Sequence, residues 1–226
     1  LTLRPMWHST IFGPYFVMGA IYSGIAALLI AMVVLRRVYR LEAFFKPVHF
    51  DYMGRLLLVF SLLWLYFTFA EYLTAFYGGE QAEMRTFWAK LAGPYAVPFW
   101  VMVACCFVIP LGLMARRATR TPAGTLVAGI AVVIGMWLER FNIVVPTSVN
   151  PRFELEPIAH YFPSWVELSI MAGTFSGFIL LYMVATKFFP IISIWEMREG
   201  REVAVREVTE RVEGRRSWSA TSGAGS

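Results

Sequence analysis

The 226 residues are 58% hydrophobic and only 15% charged, with a mean hydropathy of +0.59. A soluble domain carries about 25% charged residues, so the composition excludes a water-soluble globule and describes an integral membrane protein. The net charge of +5 is not a nucleic-acid signature, because the basic residues sit in loops and tail, where membrane topology accounts for them.

The chain starts at Leu1 without a methionine. Its first apolar run, from Ile11, is too long for a signal-peptide core and lacks a small-residue cleavage site. We therefore expect a piece of a longer protein or a processed chain. Five apolar runs can span about 30 Å of hydrocarbon at 1.5 Å per residue: Ile11–Leu35, Tyr52–Tyr77, Pro94–Met114, Thr125–Val145 and Ser164–Phe189. All five must be helices, since lipid offers no partner for unpaired backbone groups. The expected architecture is an all-α membrane bundle over residues 1–195, followed by a charged tail over 196–226.

The first span carries Gly19, Ser23, Ala27 and Ala31 at intervals of four, a small-residue face for close helix packing. Gly13-Pro14-Tyr15 opens it, and Gly93-Pro94-Tyr95 opens the third span in the same way, proline being tolerated in a first turn. Pro98 and Pro110 are expected to kink the third span. The second span presents Ser61, Trp64, Thr68, Glu71 and Thr74 as a polar stripe whose one charge is Glu71. The fifth carries Ser169, Gly173 and Gly177 on one face, with Glu167 and Thr174 on another.

The connections give an orientation. Arg36, Arg37, Arg40, Lys46 and Arg55 lie between spans one and two, and Arg116, Arg117 and Arg120 between three and four. Lys187, Arg198 and Arg201 follow span five. The other connections balance Arg85 and Lys90 against Glu80 and Glu83, and Arg152 against Glu154 and Glu156. The positive-inside rule then puts the N-terminus outside and the C-terminus in the cytoplasm. Beyond Pro190, residues 196–216 alternate acids and bases around valines, as in a surface or partner-facing helix. The small polar end is expected to be disordered.

Against this apolar background, Gly135-Met136-Trp137-Leu138-Glu139-Arg140-Phe141-Asn142 stands out. A central charge in lipid costs roughly 2.5–3.5 kcal/mol on insertion scales, so Glu139 and Arg140 must be satisfied inside a bundle or a wet cavity. One reading is a self-neutralising pair that locks two helices. The other is proton handling, or binding of a polar-headed lipophilic substrate. Counting along the helices, Glu71 lies on the order of 9 Å, Glu139 and Arg140 about 10 Å, and Glu167 roughly 6 Å from the outer boundary. Three helices thus bring carboxylates to the outer third, as a site opening outward requires.

Cys105 and Cys106 are adjacent in an apolar segment, and no set of four thiolates exists for an iron–sulfur cluster. His8, His49 and His160 all lie outside the apolar spans, so no pair can ligate a haem inside the bilayer. We expect neither haem nor iron–sulfur cluster in this chain; metal centres would belong to partners. Trp7, Trp88, Tyr161 and Trp165 read as interfacial aromatics, with His8 and His160 as candidate proton acceptors at the mouth of the site.

Several stretches resemble the second half of NrfD-type membrane subunits. They are Trp7-His8-Ser9-Thr10-Ile11-Phe12-Gly13-Pro14-Tyr15-Phe16, Trp64-Leu65-Tyr66-Phe67-Thr68-Phe69-Ala70-Glu71-Tyr72-Leu73, the Gly135–Phe141 run, Trp165-Val166-Glu167 and Pro190-Ile191-Ile192-Ser193-Ile194-Trp195-Glu196. The likeness is nearest to the quinol-oxidising membrane subunit of alternative complex III, and extends to about Gly200. It implies a ten-helix fold in two bundles, of which these five helices are the second. It also implies exchange with quinol, either menaquinol or ubiquinol, near the outer face. The implied partners are an iron–sulfur subunit on that face, c-type haem subunits and other transmembrane subunits, including an NrfD-like homologue. Because the resemblance places the quinol pocket mainly in the first bundle, Glu71, Glu139, Arg140 and Glu167 are candidates for a proton path or the back of the site. His8 and His160 would lie at its mouth. The competing expectations are half of a proton-coupled transporter, with helices broken near the bilayer middle, and a structural anchor.

Overall fold

A computed structural model describes residues 5–38, 40, 42, 44–150, 161, 163–188 and 209. Among them the regular elements are helices: α1 (Phe12–Val38), α2 (Pro47–Gly78), α3 (Gln81–Leu91), α4 (Ala96–Val103), a π-helical turn (Ala104–Val108), α5 (Ile109–Met114), a short 3-10 turn (Arg117–Thr119), α6 (Pro122–Val149) and α7 (Trp165–Phe188). Five segments are long and apolar enough to cross a membrane: α1, α2, the continuous run Ala96–Met114, α6 and α7. The protein is a multi-pass membrane protein. Its chain forms two units, one ending at Tyr161 and one beginning at Phe162. The tail over 196–226 lies outside the described residues, except for 209.

The ends of the helices follow local chemistry. Pro47 and Pro122 stand in first turns, where a missing N–H would be unpaired anyway. That moves both starts three to five residues ahead of the apolar runs, which carry no such signal. Thr121 caps α6 by accepting from the Gly124 N–H at 3.2 Å. α2 closes on Gly79, whose φ of 63° is the left-handed conformation that glycine adopts without strain.

In the first unit α6 lies in the groove of α1, α2 and the third span, around a core of Tyr22, Leu29, Leu57, Trp64, Met102 and Val132. The α1 seam is Tyr15, Met18, Gly19, Tyr22, Ala26, Leu29 and Val33, not the four-residue stripe of small residues. Gly19 belongs to it, but Ala27 is exposed and Ser23 half-buried. A side chain at Gly19 would stand 2.8 Å from the Met136 methyl and 3.1 Å from Glu139 Oε2, so glycine here sets how closely α1 approaches the buried acid. On α2 the predicted face is the buried one, with Ser61, Trp64, Thr68 and Glu71 all inside; Thr74, at its end, is exposed.

The two prolines of the third span act differently. Pro98 is the third residue of α4 and sits harmlessly in its first turn, contrary to the kink expected there. Pro110 has no N–H for the carbonyl of Cys106, four residues earlier. The helix widens into the π turn at this point. The stranded carbonyl instead accepts from the Tyr22 hydroxyl at 2.8 Å and the Ser61 hydroxyl at 3.0 Å, tying three helices together.

At the arginine-rich end, Asp51 receives Arg55 at 2.6 Å and Arg120 at 3.2 Å. Arg120 also donates to the Met114 carbonyl at 2.7 Å, so two of the arginines that indicate topology also hold the end of the third span. At the opposite end lies α3, which the sequence pattern does not announce. Its inward face is Glu83, Thr86, Phe87 and Lys90, and at 11 residues it is too short to register as a membrane span. Lys90, which reads in the sequence as a loop charge, is buried there.

Replacing Tyr22 with Phe or Ser61 with Ala alone leaves Cys106 one donor, and each is expected to cost about 1 kcal/mol. The double variant leaves a bare buried carbonyl and should lose about 2–3 kcal/mol more than the sum. Pro110→Ala restores an N–H and should remove that excess. Thermal melts of the four variants in detergent check this cycle.

Candidate functional site

The α3 end of the bundle gathers its polar groups around two neighbouring spaces. The inner one is a cavity of about 30 Å³, with room for about one water. Tyr15 of α1, Glu71 and Tyr72 of α2, Lys90 of α3, Met102 of α4, and Glu139, Asn142 and Thr147 of α6 line it. Met6 and Trp7, ahead of α1, close it on one side. The second space is a cleft of about 500 Å³ bounded by His8, Ser9, Thr10, Glu71, Thr74, Glu80 and Glu83. Glu71 and Met6 border both spaces, so Glu71 stands where the inner cavity meets the cleft.

Glu139 is 1% exposed. Its Oε1 accepts from the Trp64 indole N–H at 2.6 Å. Its Oε2 faces Arg140 at 3.7 Å and has no hydrogen bond. Arg140 turns partly outward, its guanidinium 3.8 Å above the Phe16 ring and within 3.3 Å of the Phe16 carbonyl. The adjacent pair is therefore not a closed salt bridge. The acid points into the cavity wall, and the base is held on α1 by an aromatic face. Three residues along α6, Asn142 is buried with its amide N 3.7 Å from Met102 Sδ and its Oδ1 unpaired. A carboxylate oxygen and an amide oxygen, both buried and lacking a donor, thus flank a space of water size.

Glu71 is held by the Ser9 hydroxyl, which donates to Oε2 at 2.5 Å. Trp7 fixes the same segment by donating to the Ile143 carbonyl at 3.2 Å and stacking on Phe12. Met6 adopts φ 62°, unusual for a side-chain-bearing residue, and this turns its thioether toward Lys90 at 3.7 Å.

Lys90 is the functional candidate that sequence reading overlooked. Its ammonium lies in the cavity wall with Glu71 and Glu139, over the Tyr72 ring at 5.8 Å. Among the described residues no carboxylate comes within ion-pair distance of it. Burial pulls its pKa down to about 8, and the nearby charge of Glu71 only partly opposes that. No periodicity betrayed it, because a lysine in a short polar segment looks like a solvated loop charge.

The other sequence candidates fall elsewhere. His8 pairs with Glu83, Nε2 to Oε1 at 3.1 Å, in the wall of the cleft. His160 lies outside the described residues. Glu167 is in the second unit, where it builds a capping box on α7: its Oε2 accepts from the Ser164 N–H at 2.8 Å and its own N–H reaches Ser164 Oγ at 3.4 Å. Glu71, Glu139 and Lys90 are thus brought to one cavity, while Arg140 borders Glu139 from the α1 side.

The Lys90 environment gives a pH signature. A base with a depressed folded-state pKa binds fewer protons folded than unfolded, so stability should rise with pH between about 8 and the ordinary lysine value of 10.5. That rise, on the order of 2–3 kcal/mol at most, should vanish in Lys90→Met, which should also melt higher than the parent at pH 7. Melting curves of both proteins from pH 7 to 10.5 test this.

Comparison with known proteins fits this architecture. A selenate reductase subunit of Mesobacillus selenatarsenatis is 27% identical over 151 residues, a match covering 62% of this chain and 35% of that protein. The chain therefore spans about a third of that relative's length. Residues 1–151 match the family model described as polysulphide reductase, NrfD. With every helix of the first unit inside that match, the chain belongs to the NrfD family.

Proposed function

We propose that the chain is the second helix bundle of a membrane subunit that exchanges electrons with quinol, and that its part in the reaction is to move the protons. The observation that carries this reading is the shared cavity of Glu71, Glu139 and Lys90, with Glu71 also lining a solvent-facing cleft. Quinol oxidation releases two protons with its two electrons, so acceptors must stand beside the reaction and lead away from it. An inner space of about 30 Å³ is too small for a quinone ring. The cleft wall sets four ionisable side chains, His8, Glu71, Glu80 and Glu83, among Met6, Ile11 and Ala75, more charge than the few placed polar groups of a lipophilic ligand's pocket. Both features suit water and protons, and they favour a quinol pocket lying largely outside this segment.

In this reading a proton arrives at Glu139, which Trp64 orients, crosses one water to Glu71, and leaves through the cleft past Ser9 and His8. Lys90 keeps the two carboxylates from carrying uncompensated negative charge together. Arg140 serves Glu139 from the other side. The α3 end faces the outside of a bacterial cytoplasmic membrane, as the distribution of arginines favours. Electrons pass to an iron–sulfur subunit docked on that face; the relative's description as part of a selenate reductase supports membership of a multi-subunit redox complex. The finer form we propose is an alternative complex III-like assembly, with c-type haem subunits and a second NrfD-like subunit. A transporter half would call for spans broken near the bilayer middle, and the described spans run on, the third through its π turn.

Mass spectrometry and a visible spectrum of the complex, gently extracted from native membranes, test the assembly. Iron–sulfur and c-haem subunits are expected; a terminal reductase without c-haem would replace the alternative complex III form, and a colourless single chain would overturn the electron-transfer reading. In the intact complex, Glu71→Gln and Glu139→Gln should each lower quinol turnover at least tenfold, with the set of assembled subunits unchanged. Undiminished turnover in both would remove these acids from the mechanism.

A further inference from the structure

The cleft contains a second constellation, which shares only His8 with the exit of the proton path. His8, ahead of α1, and Glu80 and Glu83, at the start of α3, place one ligating atom each within 4.8 Å of one another. The histidine and the two acids come from segments more than seventy residues apart in sequence. They converge because Trp7 pins the first segment to α6 while α3 packs back on α2. Helix polarity alone explains carboxylates at the start of α3. It does not explain an imidazole meeting them, with Nε2 already 3.1 Å from Glu83 Oε1.

We propose that His8, Glu80 and Glu83 form a binding site for a divalent transition-metal ion of the zinc class. One imidazole and two carboxylates are a borderline donor set that suits zinc and its neighbours, whereas calcium and magnesium prefer all-oxygen shells. Bonds of about 2.0–2.2 Å to nitrogen and oxygen place tetrahedral ligands roughly 3.3 Å apart, so small side-chain rotations close the site around an ion. Glu83 is buried and supplies a fixed anchor, while His8 and Glu80 reach it from the open side of the cleft. Such an ion would clip the segment ahead of α1 onto α3 across the mouth of the cleft that Glu71 borders.

The test adds zinc to the purified complex, freed of metal beforehand by chelation, and measures bound zinc by elemental analysis and zinc-edge X-ray absorption. One tightly held zinc per chain with nitrogen and oxygen ligands is expected, with a raised melting temperature and no displacement by excess calcium or magnesium. His8→Gln, Glu80→Gln and Glu83→Gln should each weaken binding at least tenfold, and His49→Gln, on the far end of α2, should not. Glu80→Gln changes an exposed residue, so its effect is readable even if a variant of buried Glu83 folds poorly. Unchanged zinc binding in His8→Gln and Glu80→Gln, or no binding above background in the parent, would overturn the proposal. Both readouts are independent of quinol turnover, so this inference and the proton-path reading fail separately.

Discussion

The structure depends on keeping one carboxylate, Glu139, inside a helix bundle that has no water to solvate it. An acid that is 1% exposed can remain there only if its oxygens find donors or a wet neighbour. Trp64 supplies one donor from α2, and a space of water size lies beside the carboxylate. Much of the first unit follows from this arrangement. Gly19 lets α1 close over the carboxylate, and Tyr15 and Tyr72 line the space beside it. α3 folds back to bring Lys90 into the same cavity wall, beside Glu71. The neighbouring Arg140, which looks in the sequence like the obvious partner, is drawn onto the Phe16 ring and leaves Glu139 without a direct hydrogen bond from it.

This explains how much could be read before the structure. The five spans were legible because length and apolarity are demanded by the bilayer itself, and the α2 stripe was legible because Ser61, Trp64, Thr68 and Glu71 recur at helical spacing. The conspicuous Glu139-Arg140 dipeptide was legible as an anomaly. Its resolution was not, since the Trp64 contact crosses 75 residues and no local pattern encodes it. The α1 seam was misjudged because small residues mark only one way for helices to approach, and here Tyr22 and Leu29 fill the seam instead. α3 and Lys90 were invisible for a deeper reason: an 11-residue helix is too short to be read as a span, and only tertiary packing puts its Glu83 and Lys90 inside.

The polar interior also shows a division of labour between the ends of the bundle. Asp51 and two arginines form a tight, partly buried ion cluster at one end that holds the third span in place. At the other end the charges are left incompletely paired, with an open oxygen on Glu139 and on Asn142 and a lysine resting against a thioether. Unpaired groups of this kind weaken the fold. In the proposed proton-path reading, they persist because proton movement needs sites of comparable affinity, neither locked by a salt bridge nor exposed to bulk water.

The π turn carries an implication for assembly. Because Pro110 strands the Cys106 carbonyl, the third span alone in a bilayer would expose an unpaired acceptor to hydrocarbon, at several kcal/mol. It can shed that penalty only by finding Tyr22 and Ser61, which belong to two helices made earlier in the chain. Insertion of this span and its docking are therefore thermodynamically linked. The proline exchanges a bond that any isolated helix could form for two that require neighbours, and so biases the third helix against resting in the membrane unassembled.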